Sequence, residues 1–189
     1  NLSPEGGTAD YVNTGHWAKR SISEAKKYTD VNIAASSEDK DFTYFPKQSS
    51  WSLSKHTAYV HITPNETIGG LRFKDIKDSD VPVVADYSSG ILSEVIDVSK
   101  YSLIYGGAQK NIGPAGLGFA IIKKELLGKA QSITPTMLNY SEMHEGGSMY
   151  NTPPTFSWYV AGKIFQWLKS MGGVSEMEKI NNRKAKKLY

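Results

Sequence analysis

Lys110 is the residue whose type and surroundings most clearly predict chemistry. It lies in a glycine-rich segment, residues 106–116, directly after the apolar run 101–105. A lysine at the end of a buried strand and between glycines is expected to be partly desolvated, which lowers the pKa of its ammonium group. The free amine is then a nucleophile that forms Schiff bases with carbonyl compounds. A surface lysine in a glycine-rich turn explains this segment, taken alone, equally well.

Asp86 is the second candidate, because it ends a short apolar run that predicts a buried parallel strand. Open α/β sheets bind ligands at the carboxyl ends of their strands, so this carboxylate is expected to face a site. There it could pair with the protonated pyridine nitrogen of pyridoxal phosphate, whose cationic ring stabilises a carbanion at a substrate α-carbon. A turn or helix-capping aspartate is the plain alternative. Together, Asp86 and Lys110 favour a pyridoxal phosphate site.

Further side chains could complete such a site. Trp17 could stack on a flat heteroaromatic ring, Thr67 could bond the phenolic oxygen, and Gln109 could donate to a phosphate. The segment 151–154, Asn-Thr-Pro-Pro, precedes a strongly periodic helix, and a helix start attracts anions. Each has an ordinary alternative: a core tryptophan, a hydroxyl turn or cap at Thr67, and simple capping with proline at the first helical turn.

The elements that must position these residues alternate between strands and helices. Periodicity predicts strands at 9–12, 31–35, 58–63, 81–86, 101–105 and 117–123. It predicts helices at 15–28 and 155–171, and a short helix that begins at 125–127. The polar stretch 39–54 is turn-rich, with strand pieces that the pattern does not place. The helix 155–171 is the clearest, because apolar residues fall at three- and four-residue steps along it: Phe156, Val160, Ile164, Trp167, Leu168 and Met171. The fold class is therefore α/β, a mostly parallel sheet flanked by helices.

Composition narrows the function classes. The 189 residues are 39% hydrophobic and 22% charged, as expected for a soluble globular protein with one domain. A net charge of +3 is too small to argue for nucleic acid, and the basic run 183–187 is expected to be a solvated helix face. The chain has no cysteine, no apolar run that could span a membrane and no signal-peptide pattern, so we expect a cytoplasmic protein. The four histidines show no metal-ligand spacing, and no metal site is predicted.

Six motifs occur in order along the chain: Ala-Asp-Tyr-Val at 9–12, Gly-His-Trp-Ala at 15–18, Pro-Asn-Glu-Thr-Ile at 64–68, Ala-Asp-Tyr-Ser-Ser at 85–89, Gly-Ala-Gln-Lys-Asn-Ile-Gly-Pro-Ala-Gly at 107–116 and Asn-Thr-Pro-Pro-Thr at 151–155. Together they resemble the phosphoserine aminotransferases, a group of class-V aminotransferases, and the resemblance runs from about residue 8 to the end of the chain. The lysine motif and Asn-Thr-Pro-Pro-Thr are the most specific.

The resemblance implies the aspartate-aminotransferase fold (fold type I), pyridoxal phosphate as cofactor, and a homodimer. It implies transfer of an amino group between glutamate and 3-phosphohydroxypyruvate on the route to serine; many bacterial members also serve pyridoxine biosynthesis. Lys110 would be the Schiff-base lysine and proton shuttle, and Asp86 the partner of the pyridine nitrogen. Trp17 would stack on the ring, Thr67 would bond the ring oxygen and Gln109 would hold the phosphate. Asn151 and Thr152 would reach the cofactor phosphate of the partner subunit.

Some parts of the family pattern have no counterpart in the chain: an upstream Gly-Gly-Arg phosphate loop, an early His-Arg substrate pair, and a C-terminal small domain with a carboxylate-binding arginine. We therefore expect residues 1–189 to be the central part of the cofactor-binding large domain, truncated at both ends and inactive alone.

Three alternatives stay open at this point. One is another fold-type-I enzyme, such as a cysteine desulfurase or an alanine–glyoxylate-type transaminase. The second, a nucleotide-binding module suggested by the glycines at 113–118, lacks the spacing of known phosphate loops. The third is an interaction domain that keeps the fold without the chemistry.

Overall fold

The computed structural model describes residues 1–189 as strands and helices in alternation. The strands are β1 (Thr8–Asn13), β2 (Asp30–Ser36), β3 (Thr57–Ile62), β4 (Asn65–Glu66), β5 (Leu71–Arg72), β6 (Val83–Asp86), β7 (Leu103–Gly107) and β8 (Gly118–Ile122). The helices are α1 (His16–Ala25), α2 (Tyr140–Glu145), α3 (Thr155–Ser170) and α4 (Gly173–Leu188). The predicted α/β class and all six predicted strands are confirmed.

The main sheet has the order β2-β1-β3-β6-β7-β8. Its first five strands run parallel, and β8 returns antiparallel to β7. The chain leaves β1 toward β2 on one side and reaches β3 on the other, so the direction of winding reverses at β1. Ligand sites of open α/β sheets lie at the carboxyl ends of strands near such a reversal.

One face of the sheet carries most of the core. Five fully buried side chains pack together on this face: Val12, Val60, Ile62, Ala85 and Ile104. They alternate along their strands with side chains that point to the opposite face. Burying this apolar set fixes the register of each strand, and with it the positions of the residues that follow the strand ends.

The predicted helix is confirmed, but only part of its apolar stripe is buried: Leu168 is buried, Val160 and Ile164 are partly buried, and the rest of the stripe is exposed. The residues that α3 buries are Ser157, Ala161 and Leu168, whereas Phe156 is 74% and Trp167 is 52% exposed. The helix packs on the lysine segment at Gly113, where a Cβ would lie 3.4 Å from Cδ1 of Ile164 and 3.6 Å from the backbone of Ala161. This tertiary contact selects the side of the helix that faces the core, and hydrophobic periodicity does not register it.

The remaining differences concern short elements. Residues 39–54 contain no strand; two single 3₁₀ turns, Glu38–Lys40 and Gln48–Ser50, lie at this part of the chain. The helix expected from residue 125 is one further 3₁₀ turn, Lys124–Leu126. The run 183–187 lies on α4 and is exposed throughout, as predicted. None of the helices combines the length and apolar composition that a membrane span requires.

Candidate active site

A cleft of about 160 Å³ lies at the carboxyl ends of the parallel strands. Asp86 is the last residue of β6, Thr63 follows β3 and Lys110 follows β7, while Trp17 lies in the first turn of α1 after β1. The eight residues that line the cleft are Trp17, Thr63, Asn65, Asp86, Ser88, Ser89, Gln109 and Lys110. The fold therefore brings four of the predicted site residues to one cavity.

Lys110 lies beside Trp17 at this cleft. Its Nζ is 5.9 Å from the centroid of the indole ring, within the range of cation–π attraction. The prediction that Lys110 is desolvated is wrong, because its side chain is exposed. The lysine follows the end of β7 in a turn closed by the hydrogen bond from Gly113 N–H to the carbonyl of Ala108, 2.8 Å, and this turn lies at the surface. Its reactivity would therefore depend on what the cleft holds and not on burial by the chain.

Asp86 is held in place by the backbone that follows it. Its Oδ1 accepts a hydrogen bond of 2.9 Å from the N–H of Ser88, and its side chain is half-buried. Ser88 is tied in turn to β7, because its Oγ accepts from the N–H of Gly107 at 3.2 Å. A Cβ at Gly106 would lie 2.7 Å from the nitrogen of Ser88, so only glycine permits this approach of the two strand ends. Gly106 and Gly107, the first two glycines of the lysine segment, thus help to hold the backbone that positions Asp86.

Trp17 is fixed by the segment that follows β3. Its indole Nε1 donates a hydrogen bond of 3.2 Å to Oγ1 of Thr67, and its backbone N–H donates to Oε2 of Glu66 at 3.0 Å. Thr67 does not line the cleft, but its hydroxyl hydrogen remains free to donate. The predicted core role of Trp17 does not apply, because the side chain is partly exposed at the cavity.

His61 was not predicted as a site residue, yet it lies buried beneath this region. Its ring stacks on Tyr11 with centroids 4.8 Å apart, and its Nε2 shares a hydrogen bond of 2.9 Å with the hydroxyl of Tyr105. Burial lowers the pKa of His61 to about 4, and the nearby Asp86 carboxylate partly offsets that shift. The imidazole is therefore neutral near pH 7. The alternation of residues 58–63 places Tyr59 and His61 on one face, which was the available signal in the sequence.

A larger cavity of about 550 Å³ adjoins the cleft and shares Trp17 and Asp86 with it. It lies over the sheet face that carries Tyr11, His61 and Tyr105. Burial raises the pKa of the Tyr105 hydroxyl, so this hydroxyl is uncharged around neutral pH. We place the chemistry in the smaller cleft, because the amine and the other hydrogen-bonding groups converge there.

The residues of the cleft fit pyridoxal phosphate. They offer an amine at Lys110, a carboxylate at Asp86 and a flat aromatic surface at Trp17, together with amide and hydroxyl groups. Thr63 Oγ1 is buried, lines the cleft and has no hydrogen-bond partner within the chain, as expected of a group that serves a ligand. Asn65, Ser88 and Ser89 were not predicted individually; the signal for the serines was their place after a strand-ending aspartate. No group of three or more histidine and carboxylate side chains is arranged to hold a metal ion.

Asn151 and Thr152 are not brought to this cleft. Both are exposed in the segment before α3 and do not line the cavity. Their assigned role concerns the cofactor of a partner subunit, and that role stays a prediction.

Comparison with known proteins places the chain in a family. The model of the aminotransferase class-V family matches residues 2–189. A phosphoserine aminotransferase of Hahella chejuensis is 56% identical over 190 residues, which cover 100% of this chain and 53% of the relative. The chain thus spans about half the length of the curated relatives it matches.

Solved structures agree on the fold. The phosphoserine aminotransferase from Bacillus circulans subsp. alkalophilus matches with a TM-score of 0.92 and 41% identity, over 96% of this chain and 50% of the other. A PLP-bound phosphoserine aminotransferase from Trichomonas vaginalis matches with a TM-score of 0.92 and 35% identity, over 100% of this chain and 54% of the other. The arrangement of strands and helices is thus shared with these structures, and the chain belongs to the class-V aminotransferase family.

Proposed function

We propose that the chain is part of a phosphoserine aminotransferase, a pyridoxal phosphate-dependent transaminase. The reaction is transfer of an amino group between glutamate and 3-phosphohydroxypyruvate, on the route to L-serine. The observation that carries the proposal is the convergence of Lys110, Asp86 and Trp17 on one cleft at the strand ends. The names of the relatives that match along the whole chain support the choice of substrate.

Pyridoxal phosphate, when bound, supplies an electron sink for the bond that is broken at the substrate α-carbon. The Asp86 carboxylate keeps a proton on the ring nitrogen, where its negative charge favours the cationic form. Lys110 would hold the cofactor through Nζ and would carry the proton of the substrate α-carbon. Trp17 offers its indole face for stacking. Thr67 and Gln109 donate hydrogen bonds, to the ring oxygen and to the phosphate.

The assembly belongs to the same proposal. The active unit is a homodimer in which Asn151 and Thr152 contact the cofactor phosphate of the partner subunit. Both are exposed and precede the N-terminus of α3, where backbone N–H groups favour an anion. We further propose cytoplasmic localisation and, for the natural gene product, a second role in pyridoxine biosynthesis. Residues 1–189 form the central part of the large domain, and the expected inactivity of this stretch alone stays a prediction.

An assay of the natural gene product tests the proposal. With pyridoxal phosphate, glutamate and 3-phosphohydroxypyruvate, we expect formation of 2-oxoglutarate. Lys110→Ala should reduce kcat by about a thousandfold or more, since the nucleophile and proton carrier is lost. Lys124→Ala, which removes an exposed lysine outside the cleft, is the matched control and should leave the rate unchanged. Comparable rates for Lys110→Ala and wild type would refute the proposal.

A further inference from the structure

Glu66 is a buried carboxylate that contacts the start of α1 from a distant part of the chain. It is 1% exposed, yet Oε1 accepts a hydrogen bond of 2.7 Å from the N–H of Ala18 and Oε2 accepts one of 3.0 Å from the N–H of Trp17. Gly15 makes room for it, because a Cβ there would lie 2.9 Å from Cδ of Glu66. The carboxylate is therefore seated specifically on the backbone of Trp17 and its neighbour.

The local sequence of α1 explains why a distant acid is needed. The N-cap residue, Gly15, has no side chain that could cap the helix, and the first turn contains no acidic residue. The first N–H groups of a helix lack partners within the helix and carry partial positive charge. Glu66 satisfies two of these donors and supplies the negative charge that a local cap would otherwise provide.

The same segment also fixes the indole of Trp17. Thr67, the next residue, accepts the hydrogen bond from Nε1 at 3.2 Å. Asn65, the residue before, lines the cleft and pairs with Arg72 in the small antiparallel β4–β5 ribbon. Three consecutive residues thus tie the backbone of Trp17, its ring and the cleft wall to one ribbon. Glu66 itself does not line the cleft, so it acts on the cavity through lining residues, of which Trp17 is the one that its carboxylate contacts.

We propose that Glu66 is a positioning residue that sets the orientation of Trp17 at the Lys110 cleft. The inference rests on the proposed function in one respect, namely that Trp17 stacks on pyridoxal phosphate. Glu66→Gln keeps one acceptor oxygen but turns an amide NH₂ toward the second backbone N–H. One hydrogen bond should be lost and the first turn of α1 should shift.

The test uses the natural gene product in both its cofactor-free and its cofactor-loaded forms. In the cofactor-free form, NMR reports the chemical shift of the Trp17 indole N–H, assigned with Trp17→Phe, and hydrogen exchange of the Trp17 and Ala18 amides. In the loaded form, titration with pyridoxal phosphate gives Kd. Glu66→Gln should speed exchange at both amides, shift the indole resonance and raise Kd by about tenfold. Glu66→Asp, which keeps the charge but loses reach, should give an intermediate change and serves as the second variant.

Asp10→Asn is the matched control. Asp10 is also fully buried and accepts a backbone hydrogen bond, from Ser54 N–H at 2.9 Å, but it does not line the cleft. The Asp10→Asn variant should have a lower melting temperature than wild type, with unchanged Trp17 signals and an unchanged Kd for pyridoxal phosphate. Unchanged indole and amide signals in Glu66→Gln, or an equal rise of Kd in Asp10→Asn, would overturn the inference. If wild type itself does not bind the cofactor, the proposed function fails, while the signals of the cofactor-free protein still decide whether Glu66 positions Trp17.

Discussion

Acidification should destabilise the protein through His61. The pKa of this buried imidazole is lowered to about 4 in the folded state, against about 6.5 for histidine in an unfolded chain. Between these values the unfolded state binds a proton that the folded state does not, so stability falls as pH decreases through this window. Above pH 6.5 the imidazole is neutral in both states, and its contribution to the free energy of unfolding has its full value.

The magnitude follows from the difference between the two pKa values. A difference of about 2.5 units at 1.36 kcal/mol per unit corresponds to about 3 kcal/mol, lost between pH 6.5 and 4. The other groups that face His61 do not mask this effect. Burial raises the pKa values of Tyr11, Tyr59 and Tyr105, which stay neutral throughout the window. The charge of Asp86 opposes the burial effect and is already included in the shifted value.

The assay is urea unfolding at fixed protein concentration, in steps from pH 7 to pH 4.5, for wild type and His61→Gln without cofactor. Glutamine preserves a polar partner for the hydroxyl of Tyr105 but does not titrate. The free energy of unfolding of wild type should fall by about 2 kcal/mol more than that of the variant, because pH 7 to 4.5 covers most of the range between the two pKa values. Parallel pH profiles for the two proteins would refute the assignment of a neutral, buried His61.

Three further substitutions, one of them a control, test the packing and the ion pairing of the fold. Gly106→Ala should lower the free energy of unfolding by about 2 kcal/mol, since the new methyl group meets the backbone of Ser88 at 2.7 Å. Gly162→Ala, in the middle of α3 with nothing within 4 Å of the added Cβ, should raise the free energy of unfolding by about 0.5 kcal/mol. It is the control, and both variants are measured by thermal unfolding. A Gly106→Ala variant that is as stable as Gly162→Ala would contradict the steric argument. Glu94→Gln should cost about 1 kcal/mol, because the buried Glu94 loses its charged pairing with Arg72, whose side chain is 35% exposed and therefore partly screened by solvent. A variant as stable as wild type in urea would show that this ion pair contributes nothing.

The sequence predicted the elements better than their contacts. Strands ending at Asp86 and before Lys110 could be found because apolar runs that end in turn residues are a local signal. The buried face of α3 could not, since a close approach of Ala161 to Gly113 depends on a partner that lies 48 positions away in the chain. The exposure of Lys110 was missed for the same reason: sequence shows the glycines around it but not which atoms cover its side chain.

The candidate site shows the same division. Trp17, Asp86, Gln109 and Lys110 could be gathered because parallel strands bring their carboxyl ends to one edge. The role of Glu66 was hidden, because it binds a helix start 49 residues earlier in the chain. Contacts of this kind are set by the tertiary fold, and a single sequence carries no local mark of them.

The central claim is that Lys110 is the nucleophile that binds pyridoxal phosphate. The natural gene product should be incubated with the cofactor, reduced with borohydride, digested and mapped by peptide mass. The account predicts a phosphopyridoxyl adduct confined to Lys110, at one per chain. Adducts spread over the surface lysines, with Lys110 unmodified, would contradict it.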